Sequence, residues 1–230
     1  MAATCYEIGH EKNRVIVVDD FMDHPEALVR QAETMAPFPS ETMTYYPGVR
    51  RRIGRGDPET AHYIRGALTA LAPLIRQVFG IRGFAPAEAS FSMVTTPPQQ
   101  LKIDQRVPHY DSADPRYFAV LHYLSPDAET KGGTSFYRHR KTGFERISPN
   151  RAQSYYLTRR AELKYAEPPP DYFRDSDDHF ERIARFEARF NRLLIYRGAL
   201  LHSGDIPENF NFSSDPAEGR LTCNIFFLET

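Results

Sequence analysis

The spacing of apolar residues changes after the first third of the chain. Apolar positions before residue 80 recur at helical spacing, and those after residue 88 lie in short alternating runs. The β-branched run Arg14–Val18 predicts a strand, followed by a helix that reaches about Ala36. A second helix is predicted from Asp57 to about Phe79, ending at Gly80. Its apolar positions are Ile64, Leu68, Leu71, Leu74, Ile75 and Val78.

The second part of the chain predicts a β structure. Strands are expected at residues 89–95, 117–124, 133–138, 152–157, 192–197 and 220–228. Helices followed by antiparallel-type strands predict an α+β fold with a mainly β core, and short strands separated by turns are typical of a double-sheet jelly roll. We expect one domain over residues 1–230, with a strand and support helices in 1–88 and the jelly roll in 89–230.

A helical insertion is predicted at about residues 159–190. This segment contains the prolines 168–170 and continues after them as a charged stretch. The apolar positions that suggest an amphipathic helix are Phe180, Ile183, Phe186 and Phe190. Two interpretations are open: a lid over the functional site, or a helix packed on the outer face of a sheet.

Composition is that of an ordinary globular protein. The chain has 230 residues, 41% of them hydrophobic and 26% charged, with a formal net charge of −1. This balance gives no drive toward nucleic acid or anionic membranes, and no apolar run approaches the length of a transmembrane helix. Two cysteines and no evident signal peptide favour a reducing, cytoplasmic location.

Candidate chemistry begins at His109-Tyr110-Asp111. On a strand, residues at i and i+2 point to the same face, so His109 and Asp111 could bind one metal. Two imidazoles and one carboxylate form the facial triad of non-heme Fe(II) oxygenases. The triplet alone is a weak signal, because the chain has 8 histidines. His24 and His179 begin related His-x-Glu triplets, which we interpret as decoys.

A second histidine ligand is predicted at His202. It follows the strand-like run 193–196 and lies in a glycine-flanked loop, which could direct its imidazole toward the site. The alternative is a surface histidine without a metal. His122 is the rival ligand, within the predicted strand 117–124.

The last predicted strand carries an arginine on its polar face. Arg220, Thr222 and Asn224 alternate with apolar residues. An arginine with a hydroxyl two residues later suits the distal carboxylate of a small diacid, through a charge-assisted bidentate contact. The alternatives are an edge-strand arginine at the surface, or Arg197 in the binding role.

Together these segments resemble the Fe(II)/2-oxoglutarate dioxygenase superfamily, in particular its prolyl-hydroxylase-like branch. The similarity covers most of the chain: an N-terminal strand and helix, a support helix, His-x-Asp, a Gly-Gly-Thr strand, and a distal histidine followed by Gly-Arg. The resemblance implies a double-stranded β-helix, and Fe(II), 2-oxoglutarate and O₂ as cofactors. It implies His109, Asp111 and His202 as iron ligands and Arg220 as the 2-oxoglutarate anchor. Thr222 matches the hydroxyl of an Arg-x-Ser pattern.

The same resemblance implies oxidation of a C–H bond, with hydroxylation as the default outcome. In this superfamily halogenation accompanies loss of the carboxylate ligand, which is present here as Asp111. The chain departs from the branch in two respects. The branch often has lysine where Arg220 stands, and the interval from His202 to Arg220 is longer than usual.

Substrate contacts are predicted from the basic, aromatic segment 45–52. Its positive charge could hold an acidic peptide or a carboxylated small molecule, although a solvated basic turn is the alternative. Predicted substrate residues are Tyr45, Arg50, Arg51, Tyr137 and His139, and Tyr123 is assigned to the co-substrate site. The partner is therefore a peptide or small molecule, and the oligomeric state is open, a homodimer included. Two other functions are weighed: a cupin-like metal-dependent hydrolase or isomerase, and a non-catalytic jelly-roll binding protein.

Overall fold

The computed structural model describes residues 2–40 and 46–230, which form three α-helices and ten strands. The helices are α1 (Glu26–Thr34), α2 (Pro58–Phe79) and α3 (Pro149–Tyr165). The strands are β1 (Ala2–Ile8), β2 (Asn13–Asp19), β3 (Gly48–Arg52), β4 (Phe84–Val94), β5 (Tyr117–Tyr123), β6 (Gly133–His139), β7 (Phe180–Phe186), β8 (Leu193–Arg197), β9 (His202–Asp205) and β10 (Leu221–Glu229). The predicted α+β class with a mainly antiparallel β core is confirmed.

The strands form two sheets. The larger sheet has the order β1-β2-β8-β5-β10-β4-β3, and the smaller one has the order β7-β6-β9. Every pairing within them is antiparallel. Between the sheets lies a buried cluster that includes Tyr123, Phe136, Leu194, Tyr196 and Phe226. The sheets therefore face each other across a shared core.

Helices cover the other face of the larger sheet. Leu71 and Ile75 of α2 are fully buried against Phe118 and Ile225 of the sheet. Helix α2 has proline at its first turn and ends at Gly80, whose φ of 71° is a left-handed conformation that glycine adopts without a Cβ clash. Strand β10 thus separates two environments: Leu221, Cys223 and Ile225 face the helices, and the alternate positions Thr222, Asn224 and Phe226 face the smaller sheet.

Three segments differ from the sequence prediction. Residues 48–52, expected in a loop, form the edge strand β3, which pairs with β4. Residues 152–157, expected as a strand, belong to α3, whose buried positions Tyr155, Arg159 and Glu162 follow helical spacing. The expected helix after Phe180 is instead β7, because its backbone pairs with β6. Tertiary pairing overrides the local pattern here.

The helical insertion therefore lies earlier than expected, in the connection between β6 and β7. Helix α3 packs through Tyr155 on a buried cluster with Tyr137 and Phe180. Thr134 and Phe136 face the other sheet, so α3 covers the outer face of the smaller sheet. Of the two interpretations, the outer-face helix is the one observed for α3. Within the described residues, no helix has both the length and the apolarity to cross a bilayer.

Candidate metal centre and its cavity

His109 and His202 lie side by side through their backbones. The N–H of His109 donates to the carbonyl of His202 at 2.9 Å, and the N–H of His202 donates to the carbonyl of His109 at 2.8 Å. This isolated antiparallel bridge joins the His109 segment to β9 at the edge of the smaller sheet. The two imidazole centroids are 4.4 Å apart. The backbone thus sets the spacing of the two rings.

Asp111 joins the histidines through a second backbone contact. Its N–H donates to the carbonyl of Gly198 at 2.7 Å. Its Oδ2 lies 3.8 Å from His202 Nε2, and its side chain is 18% exposed. One ligand atom from each of His109, Asp111 and His202 lies within 4.8 Å of the others. Two imidazole nitrogens and one carboxylate oxygen at this spacing fit a divalent transition metal and leave coordination positions for small ligands.

The tautomer of His202 is suited to metal binding. Its Nδ1–H donates to the carbonyl of Leu200 at 2.8 Å, which leaves a lone pair on Nε2, the nitrogen that faces Asp111. A hydrogen bond from the second ring nitrogen orients metal-binding histidines in this way. Tyr196 and Phe136 pack against the same ring. The imidazole is therefore held in place before any ligand binds.

Burial and neighbouring charges set the protonation of the cluster. Burial holds the pKa of His109 well below its usual range, and His202 and Arg50 lower it further. His109 is thus neutral at pH 7 and able to donate a lone pair. Burial raises the pKa of Asp111, while His202 and Arg50 oppose that rise. His109 therefore has the protonation state that a metal ligand needs.

The three residues lie on the wall of a cavity between the sheets. Its volume of about 110 Å³ is several times the roughly 15 Å³ that one water molecule needs. The larger sheet contributes Leu121, Thr222 and Asn224, and the smaller sheet contributes Thr134 and Ser203. The cavity therefore continues from His109, Asp111 and His202 into the space between the sheets.

Arg220 faces this cavity and is 5% exposed. One terminal nitrogen donates to the carbonyl of Gly133 at 3.1 Å, and its Nε has no hydrogen-bond partner among the residues described. The guanidinium lies 5.4 Å from the ring centre of Tyr123. Thr222 lines the same cavity. A buried cation with open donors beside a hydroxyl is a site for a carboxylate.

Arg50 is the second cation of the cavity. It lies on β3, and its guanidinium lies 4.4 Å from the ring centre of Tyr46. Its neighbours Arg51 and Arg52 pair with Asp57 and Glu88. By contrast, the buried Nε of Arg50 has no hydrogen-bond partner within the described part of the chain.

Other residues predicted for the site lie elsewhere. Arg51 pairs with Asp57 at 2.7 Å, and Tyr137 is fully buried beside Phe180 and Phe173. The ring of His139 is buried, with Nε2 3.0 Å from a Glu162 oxygen of α3. None of these three lines the cavity. The reason is strand alternation, which turns Tyr137 and His139 toward α3. Tyr45 is outside the described residues.

Tyr123 and the two rival residues also have other partners. Tyr123 is 1% exposed, and its hydroxyl lies 2.7 Å from Thr134 Oγ1, so it supports the cavity wall from behind. His122 is fully buried between Tyr63 and Asn191 on the helix-facing side of the larger sheet. Arg197 lies over the ring of Phe118 and donates to the carbonyl of Pro115. Neither rival lines the cavity.

Sequence reasoning missed the aromatic wall that follows α3. Tyr172 and Phe173 line the cavity, the Tyr172 hydroxyl donates to the carbonyl of Thr96 at 2.7 Å, and Ser203 donates to the carbonyl of Phe173 at 2.9 Å. The segment that returns from α3, rather than the helix itself, therefore covers part of the site. The proline run before Tyr172 was the available signal, since it forces an extended chain.

Solved structures with a similar fold include an alpha-ketoglutarate-dependent epimerase and a protein solved with iron or with nickel and 2-oxoglutarate. SnoN, the non-heme alpha-ketoglutarate-dependent epimerase of nogalamycin biosynthesis, matches with a TM-score of 0.54 and 12% identity, over 96% of this chain and 80% of that one. HygX from Streptomyces hygroscopicus with iron bound matches with a TM-score of 0.54 and 14% identity, over 96% of this chain and 84% of that one. HygX with nickel, 2-oxoglutarate and hygromycin B gives a TM-score of 0.51 and 13% identity, over 96% and 84%.

The predicted resemblance to the Fe(II)/2-oxoglutarate oxygenases is therefore confirmed in the fold. No curated protein shows significant sequence similarity to the chain. A family model described as DUF6445, a family of unknown function, matches residues 1–227, and the chain belongs to that family.

Proposed function

We propose that the protein is an Fe(II)- and 2-oxoglutarate-dependent oxygenase. The observation that carries the proposal is the cluster of His109, Asp111 and His202 on a cavity that also contains the buried Arg220. In this proposal the three clustered residues hold Fe(II), and Arg220 binds the distal carboxylate of 2-oxoglutarate. When bound, the iron supplies activation of O₂ coupled to decarboxylation of 2-oxoglutarate to succinate.

The environment of Arg220 supports an anionic co-substrate. Burying a charge is costly unless it is paired and hydrogen-bonded. Asp111 is the one acidic residue among the described residues that line the cavity, and it belongs to the metal cluster. A diacid that reaches from the metal to Arg220 supplies the missing carboxylate. Thr222, one strand position deeper along the polar face of β10, offers an additional hydroxyl donor.

The protein's own contribution is positioning and exclusion of water. The bridge between His109 and His202 fixes two ligands, and Gly198 fixes the third through the backbone of Asp111. Tyr172 and Phe173 close one side of the cavity. Such a wall limits the access of water to a reactive centre. These features favour an enzyme over a binding protein, which has no need of a preorganised ligand set.

The finer assignments follow from the same proposal. We assign the two facing sheets to a double-stranded β-helix within one domain, since the smaller sheet packs on β2, β8, β5 and β10 through the shared buried cluster. The proposed reaction is hydroxylation of a C–H bond of a small molecule or peptide. The fold relative SnoN is named an epimerase and HygX has been solved with hygromycin B, so a small-molecule substrate is the first class to test.

Anaerobic spectroscopy tests the proposal. Fe(II) and 2-oxoglutarate added together to the purified protein should give a weak visible charge-transfer band, which neither gives alone. Admission of O₂ should then release succinate. If Zn²⁺ binds tightly and 2-oxoglutarate does not change the spectrum of the Fe(II) protein, the metal-dependent hydrolase becomes the better reading.

A further inference from the structure

The polar face of the larger sheet extends beyond the residues that 2-oxoglutarate would use. Asn224 of β10 lines the cavity, and Ser90 and Ser92 lie beside it on the neighbouring strand β4, all three buried. Asn224 Nδ2 donates to Ser92 Oγ at 3.2 Å, and its Oδ1 is buried without a partner among the described residues. A buried acceptor left without a donor is energetically unfavourable. A ligand with an N–H or O–H group would satisfy it.

Arg50 lies on β3, which pairs with the edge of β4 that is away from β10. Cross-strand register places Arg50 opposite Ser92, and Ser92 in turn opposite Thr222. Arg50 and Thr222 are thus two strand spacings apart, about 10 Å between their backbones. The guanidinium of Arg50 lies 4.4 Å from the ring centre of Tyr46, and that of Arg220 lies 5.4 Å from the ring centre of Tyr123. The two guanidiniums therefore have different neighbours.

A charge count separates their roles. The positive charges of a divalent metal and Arg220 balance the negative charges of Asp111 and dianionic 2-oxoglutarate. Among the described residues that line the cavity, none then remains to balance the positive charge of Arg50. Uncompensated charge in a partly desolvated site favours an anionic ligand.

From these contacts we propose that Arg50 and Asn224 anchor the substrate, and that the substrate is a small carboxylic acid with a hydrogen-bond donor next to its carboxylate. Arg50 binds the carboxylate as a charge-assisted pair, and Asn224 Oδ1 accepts from the neighbouring hydroxyl or amino group. This inference rests on the proposed oxygenase function. The buried position of Asn224, 8% exposed, fits a free hydroxy or amino acid better than an acidic side chain on a peptide.

The test measures binding without turnover. Protein is loaded with Mn(II) and saturated with 2-oxoglutarate, and paramagnetic broadening of ligand proton signals is followed by NMR. Acetate is the bare carboxylate probe, and glycolate adds one neighbouring hydroxyl. We expect saturable broadening of both, with glycolate the tighter ligand. Arg50→Gln should weaken both at least tenfold, while Arg52→Gln, the exposed neighbour on the same strand, should change neither.

The proposed role of Asn224 is tested with a separate variant. Asn224→Leu should leave acetate binding within about twofold and remove the advantage of glycolate, with Asn224→Ala as the second variant if the leucine protein melts early. N-acetyl-aspartic acid amide carries its carboxylate on a peptide-like frame and should bind at least tenfold more weakly than glycolate. Equal binding would overturn the small-acid assignment.

The outcomes also separate this inference from the proposed function. If 2-oxoglutarate fails to bind the metal-loaded protein at all, the oxygenase proposal fails. If it binds, but acetate broadening is absent or is the same in Arg50→Gln, the substrate anchor is wrong. If Arg50→Gln weakens 2-oxoglutarate as much as Arg220→Ala does, Arg50 belongs to the co-substrate site and the inference is also wrong.

Discussion

His109 and His202 exchange two backbone hydrogen bonds, of 2.9 and 2.8 Å, although they are distant in the sequence. His109 lies outside the named strands, and His202 is the first residue of β9. Because the backbone holds both residues, their imidazole centroids lie 4.4 Å apart. The proposed centre is therefore built by the fold, and ligand loss can be tested without unfolding the protein.

Removal of either imidazole should abolish most metal affinity. His109→Ala and His202→Ala each take away one of three proposed ligands, so Fe(II) affinity measured by anaerobic calorimetry should fall by at least a hundredfold. His179→Ala is the matched control, since His179 is near Glu162 on the other side of the smaller sheet. An equal loss in His179→Ala would show that the triad assignment is incorrect.

Gly198 should control the position of Asp111. A Cβ at Gly198 would lie 2.8 Å from a ring carbon of Tyr117 and 3.2 Å from Asp111 Cβ, so Gly198→Ala must displace one of them. We expect Fe(II) affinity to fall about tenfold while the protein remains folded. Gly66→Ala in α2 is the control, because its Cβ would meet nothing within 4 Å. It should leave metal binding unchanged and stabilise the helix by about 0.5–1 kcal/mol. Unchanged affinity in Gly198→Ala would show that Gly198 does not control the position of Asp111.

Loss of Arg220 should affect the co-substrate and spare the metal. Truncating one partner of a buried charge pair costs about 2–5 kcal/mol, so Arg220→Ala should weaken 2-oxoglutarate binding by roughly thirtyfold or more. Thr222→Ala removes only a hydroxyl and should weaken it less. Titration of the visible band of the Fe(II) protein measures both. Arg197→Ala serves as the control, as Arg197 packs over Phe118; a large effect there and none in Arg220→Ala would reassign the anchor.

Stability should decrease in mild acid because of His122. Burial lowers the pKa of His122 from 6.5 to about 4, while its hydrogen bond with Asn191 works against that shift. The folded pKa lies below the unfolded value, so the unfolded state binds more protons as the pH falls from 6.5 toward 4, and stability is lost over that range. The full loss is about 3 kcal/mol.

Urea denaturation between pH 7 and pH 4 tests this expectation. His122→Phe should lose stability overall but show a smaller decrease with pH than the wild type. His62→Gln, at an exposed position of α2, should keep the wild-type pH dependence. If His122→Phe keeps the full dependence as well, another group is responsible.

The elements with strong local patterns could be predicted from the sequence. Helix α2 has helical apolar spacing, proline at its start and glycine at its end, and each of these signals acts within a few residues. Strand β10 alternates between polar and apolar residues, so its two faces could be assigned before the fold was known. The residue types of the proposed metal and co-substrate sites could also be proposed from the sequence, because their chemistry depends on the side chains themselves.

The tertiary structure decided which of those residues meet. The local sequence favoured His202 but left His122 as a rival. Pairing with His109 places His202 at the cavity, and His122 is buried on the helix-facing side of β5. Residues 152–157 and 180–186 exchanged their expected structures, because long-range pairing with β6 stabilises a strand at Phe180 and packing on Tyr137 stabilises a helix at Tyr155. The sequence by itself determined the chemistry available to this protein. Only long-range backbone pairing decided where that chemistry comes together, because such pairing depends on segments that are far apart in the sequence.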